Sequence, residues 1–223
     1  MDSFKLVAIE GVDSSGKETQ TRLLFENLKS TGAKIEKIEF PNYSSSTSAL
    51  VKMYLNGEFG MRADDVNPYT ASAFFAVDRV GSIYGEWKER LNGADIVIAD
   101  RYVNSNMIHQ AAKIENITEK NNYLDWVYDF EYNIMGLPKP DNVIFLNMRF
   151  DLAQKLMADR ANKITNESIK DIHERDVCYM QKCYENACYV SDKYNWNEIK
   201  CFDGDCIRTI EDIHKEIRKI VCN

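Results

Sequence analysis

The feature that most narrows what this chain can fold into is Gly11-Val12-Asp13-Ser14-Ser15-Gly16-Lys17, a G-x-x-x-x-G-K string. It follows the apolar run FKLVAIE (4–10) at once and leads into TQTRLLFENLKST, a helix-periodic stretch closed by Gly32. Strand, glycine-rich loop and helix in that order are the context a phosphate cradle requires. The glycines let the backbone wrap so that successive N–H groups point at one anion. The helix N-terminus adds positive partial charge, and a lysine at its start reaches the terminal phosphates of a nucleotide. A glycine-containing turn that binds nothing is the bland alternative, and the flanking elements weigh against it. The loop therefore assigns Gly11, Val12, Asp13, Ser14, Ser15, Gly16, Lys17, Glu18 and Thr19 to ATP-type nucleotide binding. Glu18 stands where the general motif has Ser or Thr to hold Mg²⁺, with Thr19 one place further on. A divalent cation then falls to the nucleotide phosphates, water and a carboxylate such as Asp100.

Further strand patterns occur at 34–40, 95–100, 142–148 and 198–203. Helical patterns lie between them, around 45–55, 68–92, 103–113, 120–135, 150–161, 171–194 and 209–221. Strands alternating with helices predict βαβ units. The expected class is α/β: a P-loop NTPase three-layer fold with a mainly parallel five-stranded sheet flanked by helices. Nothing divides the chain, so 1–223 reads as one domain. The polar stretch 158–171 is either a plain surface loop or a mobile lid. The net charge of -7 argues against a non-specific nucleic-acid binder. No apolar run reaches the roughly 18 residues of a membrane span. Without an export signal the cytoplasm is the default compartment, and the six cysteines read as thiols. Cys178, Cys183 and Cys188 recur every five residues on a helical stretch, without the pairing of a zinc site.

Two more constellations carry chemistry. Asp100-Arg101-Tyr102 directly follows the strand DIVIA, and ligands of open α/β sheets gather at the carboxyl ends of strands. A carboxylate there suits a metal-linked or catalytic role, and an arginine fork suits an acceptor phosphate. An ordinary surface ion pair is the competing reading. Phe75 and Arg79 are four apart in a helical pattern and so share a face. A ring beside a fork donor suits a planar base, although core packing beside a solvated arginine has the same spacing.

In this order and at these distances, the pieces resemble thymidylate kinase, a P-loop nucleoside monophosphate kinase family, over essentially the whole chain. FPNYSSSTSALVKMYLNGEFG (40–60) resembles the family's segment after its second strand. FFAVDRVGSIY and DRYVNSNMIHQAAK resemble its two monophosphate-site segments, and IHERD (172–176) the region after its lid. The resemblance implies transfer of the γ-phosphoryl of ATP to dTMP with Mg²⁺, by a homodimer. It would place Phe75 on thymine, Arg79 at the base edge, and Arg101 on the acceptor phosphate. Asn106 and Gln110 would line the base and sugar pocket, with Phe40 and Tyr43 beside the substrate. Asp13 would lie near the sugar 3′-hydroxyl or the cation network of the loop. Lys17, Asp13, Asp100 and Arg160 form the implied catalytic set. The loop itself carries no arginine, which implies delivery of positive charge from the lid, by Arg160 ahead of Lys163 and Arg175.

This sequence also departs from the family. Asn42 stands where relatives often carry arginine, and Asn147 where they often carry aspartate. His109 stands where many have an aromatic near the sugar 2′ position; a lone histidine is also commonly a neutral packing residue, and none of its features calls for proton transfer. The alternatives are a kinase for another nucleoside monophosphate and a non-catalytic nucleotide-binding switch, the latter favoured by Glu18 alone.

Overall fold

The computed structural model describes residues 4–163, 172–173 and 176–222, with the backbone alone at 159–163. Its centre is a sheet of β1 (Lys5–Glu10), β2 (Ile35–Glu39), β3 (Ile96–Asp100), β4 (Asn142–Asn147) and β5 (Asn197–Lys200) in the order β2-β3-β1-β4-β5. Every pairing is parallel. Between them run α1 (Lys17–Lys29), α2 (Ala49–Leu55), α3 (Pro68–Gly81), α4 (Lys88–Asn92), α5 (Val103–His109), α6 (Ile117–Tyr128), α7 (Phe150–Lys163), α8 (Val177–Lys193) and finally α9 (Ile210–Cys222).

The three central strands β1, β3 and β4 are buried on both faces, as a parallel sheet covered by helices demands, whereas the edge strands β2 and β5 alternate with charged residues. In β1, Leu6 and Ala8 join one cluster with Phe40, Tyr102, Met107, Tyr123 and Leu124. Val7 and Ile9 point the other way, into a cluster with Leu24, Leu28, Ile213 and Ile217 from α1 and α9. This alternation at period two builds the three layers. All five strands run the same way and end at one edge, with Asp100 registered beside Ile9 and Glu39. No helix among the described residues is long and apolar enough to cross a membrane.

The expected α/β class is observed, with corrections in detail. The run 198–203 is not one strand. β5 ends at Lys200, and β6 (Phe202–Asp203) pairs antiparallel with β7 (Cys206–Ile207) in a separate hairpin. Gly204, at φ 55, opens its two-residue turn. A glycine at the first central position of a two-residue loop is a hairpin signal that FDGDC already carried. The long helix expected at 68–92 widens into a π-type turn over Ser82–Glu86. The helix expected from 171 begins at Val177, capped by Asp176, whose side chain accepts from the Tyr179 N–H. Ile172 and His173 before it sit in a buried turn. The greater part of the 158–171 stretch lies outside the described residues; 158–163 continue α7.

Candidate active site

The G-x-x-x-x-G-K loop runs from the end of β1 to the first turn of α1. Gly11 is required by close approach: a Cβ there would stand 2.6 Å from Ser15 Oγ and 3.0 Å from the Leu146 carbonyl oxygen. Gly16, at φ 89, turns the chain into the helix in a left-handed conformation that glycine adopts without steric cost. Lys17 is buried, and its Nζ donates to the Val12 carbonyl at 2.9 Å. Burial and the neighbouring Arg101 charge push the Lys17 ammonium down to about 8, against the pull of nearby carboxylates.

The turn after β3 aims two side chains into the same cleft. The Arg101 N–H donates to the Ile9 carbonyl at 3.1 Å, which ties the turn to β1. Arg101 itself sits at φ 65, a left-handed conformation that costs a non-glycine residue about 1 kcal/mol or more. What holds it is Glu10, fully buried at the end of β1. Its carboxylate accepts from the Tyr102 N–H at 2.7 Å and from Ser105 Oγ at 2.6 Å. Loss of water around Glu10 pushes its carboxyl up to about 7. Tyr102 then packs into the core while Arg101 turns back over the loop.

Two cavities open at this edge. One, of about 560 Å³, is lined by the phosphate loop and first helical turn from Asp13 to Gln20, by Glu39, Asp100 and Arg101, and by the apolar wall Met148, Leu156, Ile207, Ile210 and Ile213. The other, of about 250 Å³, is lined by Phe40, Pro41, Tyr43, Leu55, Phe75, Arg79, Ser105, Asn106, His109, Gln110 and His173. Asp13, Glu39 and Arg101 border both. The first has the phosphate ring and apolar slot of a nucleoside triphosphate site; the second is a smaller aromatic pocket with amides and a guanidinium.

Arg101 and Asp13 form an ion pair at the shared border, about three-quarters buried. Burial alone would raise the Asp13 carboxyl, but Arg101 and then Lys17 hold it well below the carboxylate range. The carboxyl of Glu39 is raised, by loss of water and then by the negative charge of Asp100 beside it. Two carboxylates side by side next to a phosphate cradle are a donor set that suits Mg²⁺, which takes one or two carboxylates and leaves its other positions to phosphate and water. No cluster of three or more His, Cys, Asp or Glu that could hold a metal unaided occurs among the described residues.

In the smaller pocket, the residues implied by resemblance are brought together, but several are already engaged. Arg79 is buried and grips Glu131 with two bonds, Nε at 2.6 Å and Nη2 at 2.7 Å, while Nη1 reaches the Tyr102 carbonyl at 3.4 Å. Asn106 Nδ2 donates to the same Glu131 at 2.8 Å and to the Ser72 carbonyl at 3.3 Å. Gln110 is buried, and its Oε1 has no partner among the described residues. Phe40 packs against Trp87 and Tyr102, whereas Tyr43 is exposed at the rim. Asn42 does not line the pocket: its Nδ2 donates to Ser82 Oγ and Glu86, and its N–H to Asp78, beneath α3. Asn147 bonds Glu198 and Tyr184. The side chains of Arg160 and Lys163, and Arg175 altogether, lie outside the described residues.

A family model described as thymidylate kinase matches residues 9–200. The chain belongs to the thymidylate kinase family. It is 35% identical over 179 residues to the thymidylate kinase of Mycobacterium tuberculosis strain H37Rv, covering 79% of this chain and 81% of that protein. It is 30% identical over 213 residues to the human thymidylate kinase, covering 96% of this chain and 87% of that one. A solved thymidylate kinase from Candida albicans, 23% identical, superposes with a TM-score of 0.69 over 98% of this chain and 91% of its own, which shows the shared fold.

As a member of the thymidylate kinase family the protein is a phosphotransferase. Several residues of its site gave no motif in the sequence. Glu131 is 52 residues from the Arg79 it pairs with, so no spacing joins them. Glu39 and His173 lie within a strand pattern and a helical pattern, but neither pattern singles out one side chain for the site. Glu10 had a weak signal: a carboxylate ending an otherwise apolar strand immediately before the loop.

Proposed function

We propose that the chain transfers the γ-phosphoryl of ATP to dTMP, giving dTDP. The observation that carries this is the meeting of a triphosphate-type cleft and a base-sized pocket at one border, where Arg101 and Asp13 stand. Phosphoryl transfer asks little covalent work of a protein; it asks for alignment of donor and acceptor and for neutralised charge between them. Lys17 and the loop N–H groups hold the donor phosphates. Arg101 holds the acceptor phosphate, with Asp13 fixing its guanidinium. Phe75 faces the base, Arg79 is kept in the pocket wall by Glu131, and the unpaired Gln110 Oε1 offers an acceptor inside it. Asp100 and Glu39 would hold Mg²⁺, which when bound neutralises phosphate charge. By resemblance, Arg160 supplies positive charge to the transferring group.

A homodimer in the cytoplasm completes the reading. Tyr69, Val77 and Tyr84 are exposed and recur at spacings of eight and seven, so they give α3 and the turn after it an apolar face. Steady-state kinetics of Lys17→Ala test the assignment: turnover should vanish while cooperative unfolding is retained. A folded variant near full activity contradicts it. In the same assay Arg160→Ala should lose about a thousandfold or more in kcat, and a loss below about tenfold moves that role to another residue.

A further inference from the structure

His109 ends α5 and lines the acceptor pocket, and its contacts give it a definite chemical state. Arg101 is held on two nitrogens. Nη2 donates to Asp13, and Nη1 lies 3.1 Å from His109 Nε2. A guanidinium has only N–H donors and no lone pair to offer, so Nε2 must be the acceptor. The imidazole is therefore neutral with its proton on Nδ1. Burial, and then the Arg101 charge, hold its pKa well below the usual histidine value.

The surroundings keep the ring in that state. His109 stacks on His173, with centroids 6.4 Å apart and planes 15° from parallel. Its carbonyl accepts from Tyr179 Oη at 2.8 Å, which pins the end of α5 to α8. Lys113 Nζ donates to Tyr54 Oη at 3.0 Å, and Tyr54 Oη lies 2.8 Å from His173 Nε2. Lys113 and His173 thus meet at the one tyrosine oxygen. Burial and the charge of Lys113 push His173 down to about 3. The two stacked rings are both neutral.

A neutral acceptor does something here that a carboxylate would not. Asp13 already offsets part of the Arg101 charge, and a second anion at 109 would cancel the rest and repel an incoming phosphate. An uncharged lone pair fixes the fork while leaving its charge for the ligand. We propose that His109 is a positioning residue for the acceptor phosphate: through Nε2 it fixes the plane of the Arg101 guanidinium, so that the remaining N–H groups face that phosphate. The inference rests on the reading above that Arg101 holds it.

Kinetics with ATP and dTMP test it. His109→Phe keeps a ring on His173 and removes the acceptor; His109→Gln restores an acceptor oxygen at similar reach. The first should raise KM for dTMP about tenfold with KM for ATP changed less than about twofold, the size expected of one hydrogen bond to a charged group. His109→Gln should return to within about threefold of the parent. In an Arg101→Lys background His109→Phe should add nothing further, because the two act through one contact. If Arg101→Lys leaves KM for dTMP unaltered, the role of Arg101 itself fails. If Arg101→Lys is impaired and His109→Phe is not, only the present inference is overturned. Nitrogen NMR of the unmodified protein at neutral pH is independent of any variant's folding: a His109 proton on Nδ1 supports the inference, and one on Nε2 overturns it.

Discussion

At the scale of single residues, two arginine–carboxylate pairs built from the same chemistry do different work. Arg101–Asp13 is partly exposed at the border of two cavities, whereas Arg79–Glu131 is buried on both sides. A buried pair is costly to break because the surviving charge has neither water nor partner. Glu131→Ala is therefore expected to lower unfolding stability by about 3–5 kcal/mol in urea titrations. A change under about 1 kcal/mol would mean that the pocket wall does not depend on this pair. Glu10 gives a pH prediction. Its folded value, about 7, lies above its ordinary value of 4.5. The folded chain thus binds this proton more tightly than the unfolded chain does, so the contribution is complete below 4.5 and is lost as pH rises through about 7. Glu10→Gln should remove that fall from the stability–pH curve; an identical slope in parent and variant contradicts the assignment. Lys17, Arg101 and Phe75 stand out in the sequence because each sits in a motif with local context, and all three line the two cavities. Glu10 carries only a weak signal and Glu131 none, because their meaning comes from partners far along the chain.

At the scale of elements, the link from β1 into α1 shows how little freedom the phosphate loop has. Gly11 is bounded by Ser15 and by the carbonyl of Leu146 on the neighbouring strand β4. Gly11→Ala must push the loop off β4, and the expected result is at least about a tenfold loss of ATP affinity by calorimetry, with the α/β circular dichroism retained. Unchanged affinity would show that the loop moves freely. The strand–loop–helix order was readable because it depends on local pattern. The split of the run 198–203 was missed because an apolar stretch ending in Asp-Gly suits either a strand end or a hairpin. The Cys201 N–H bonds to the Asn147 carbonyl and the Arg208 N–H to the Cys201 carbonyl, so tertiary pairing decides between them. That hairpin matters to the site, since Ile207 and Arg208 wall the larger cavity.

At the scale of the whole molecule, the sheet order β2-β3-β1-β4-β5 puts β3 beside both β1 and β2. Their carboxyl ends therefore deliver the phosphate loop, Glu39, and the Asp100–Arg101 turn to one place. Alternating strands and helices announced a parallel sheet but not this order, which follows from which strands find each other in three dimensions. Pattern alone likewise did not assemble the smaller cavity, whose Phe75, Gln110 and His173 come from three distant segments; only the family resemblance put Phe75 and Gln110 in one pocket. The central claim is that these two cavities are donor and acceptor sites of one phosphoryl transfer. The most direct test is a coupled ADP-release assay with ATP, Mg²⁺ and a panel of nucleoside monophosphates. Strong acceptor-dependent release with dTMP, above that with dUMP, UMP, CMP and AMP, is the result expected. ATP binding without acceptor-dependent release, or release driven by another monophosphate in preference to dTMP, would contradict it.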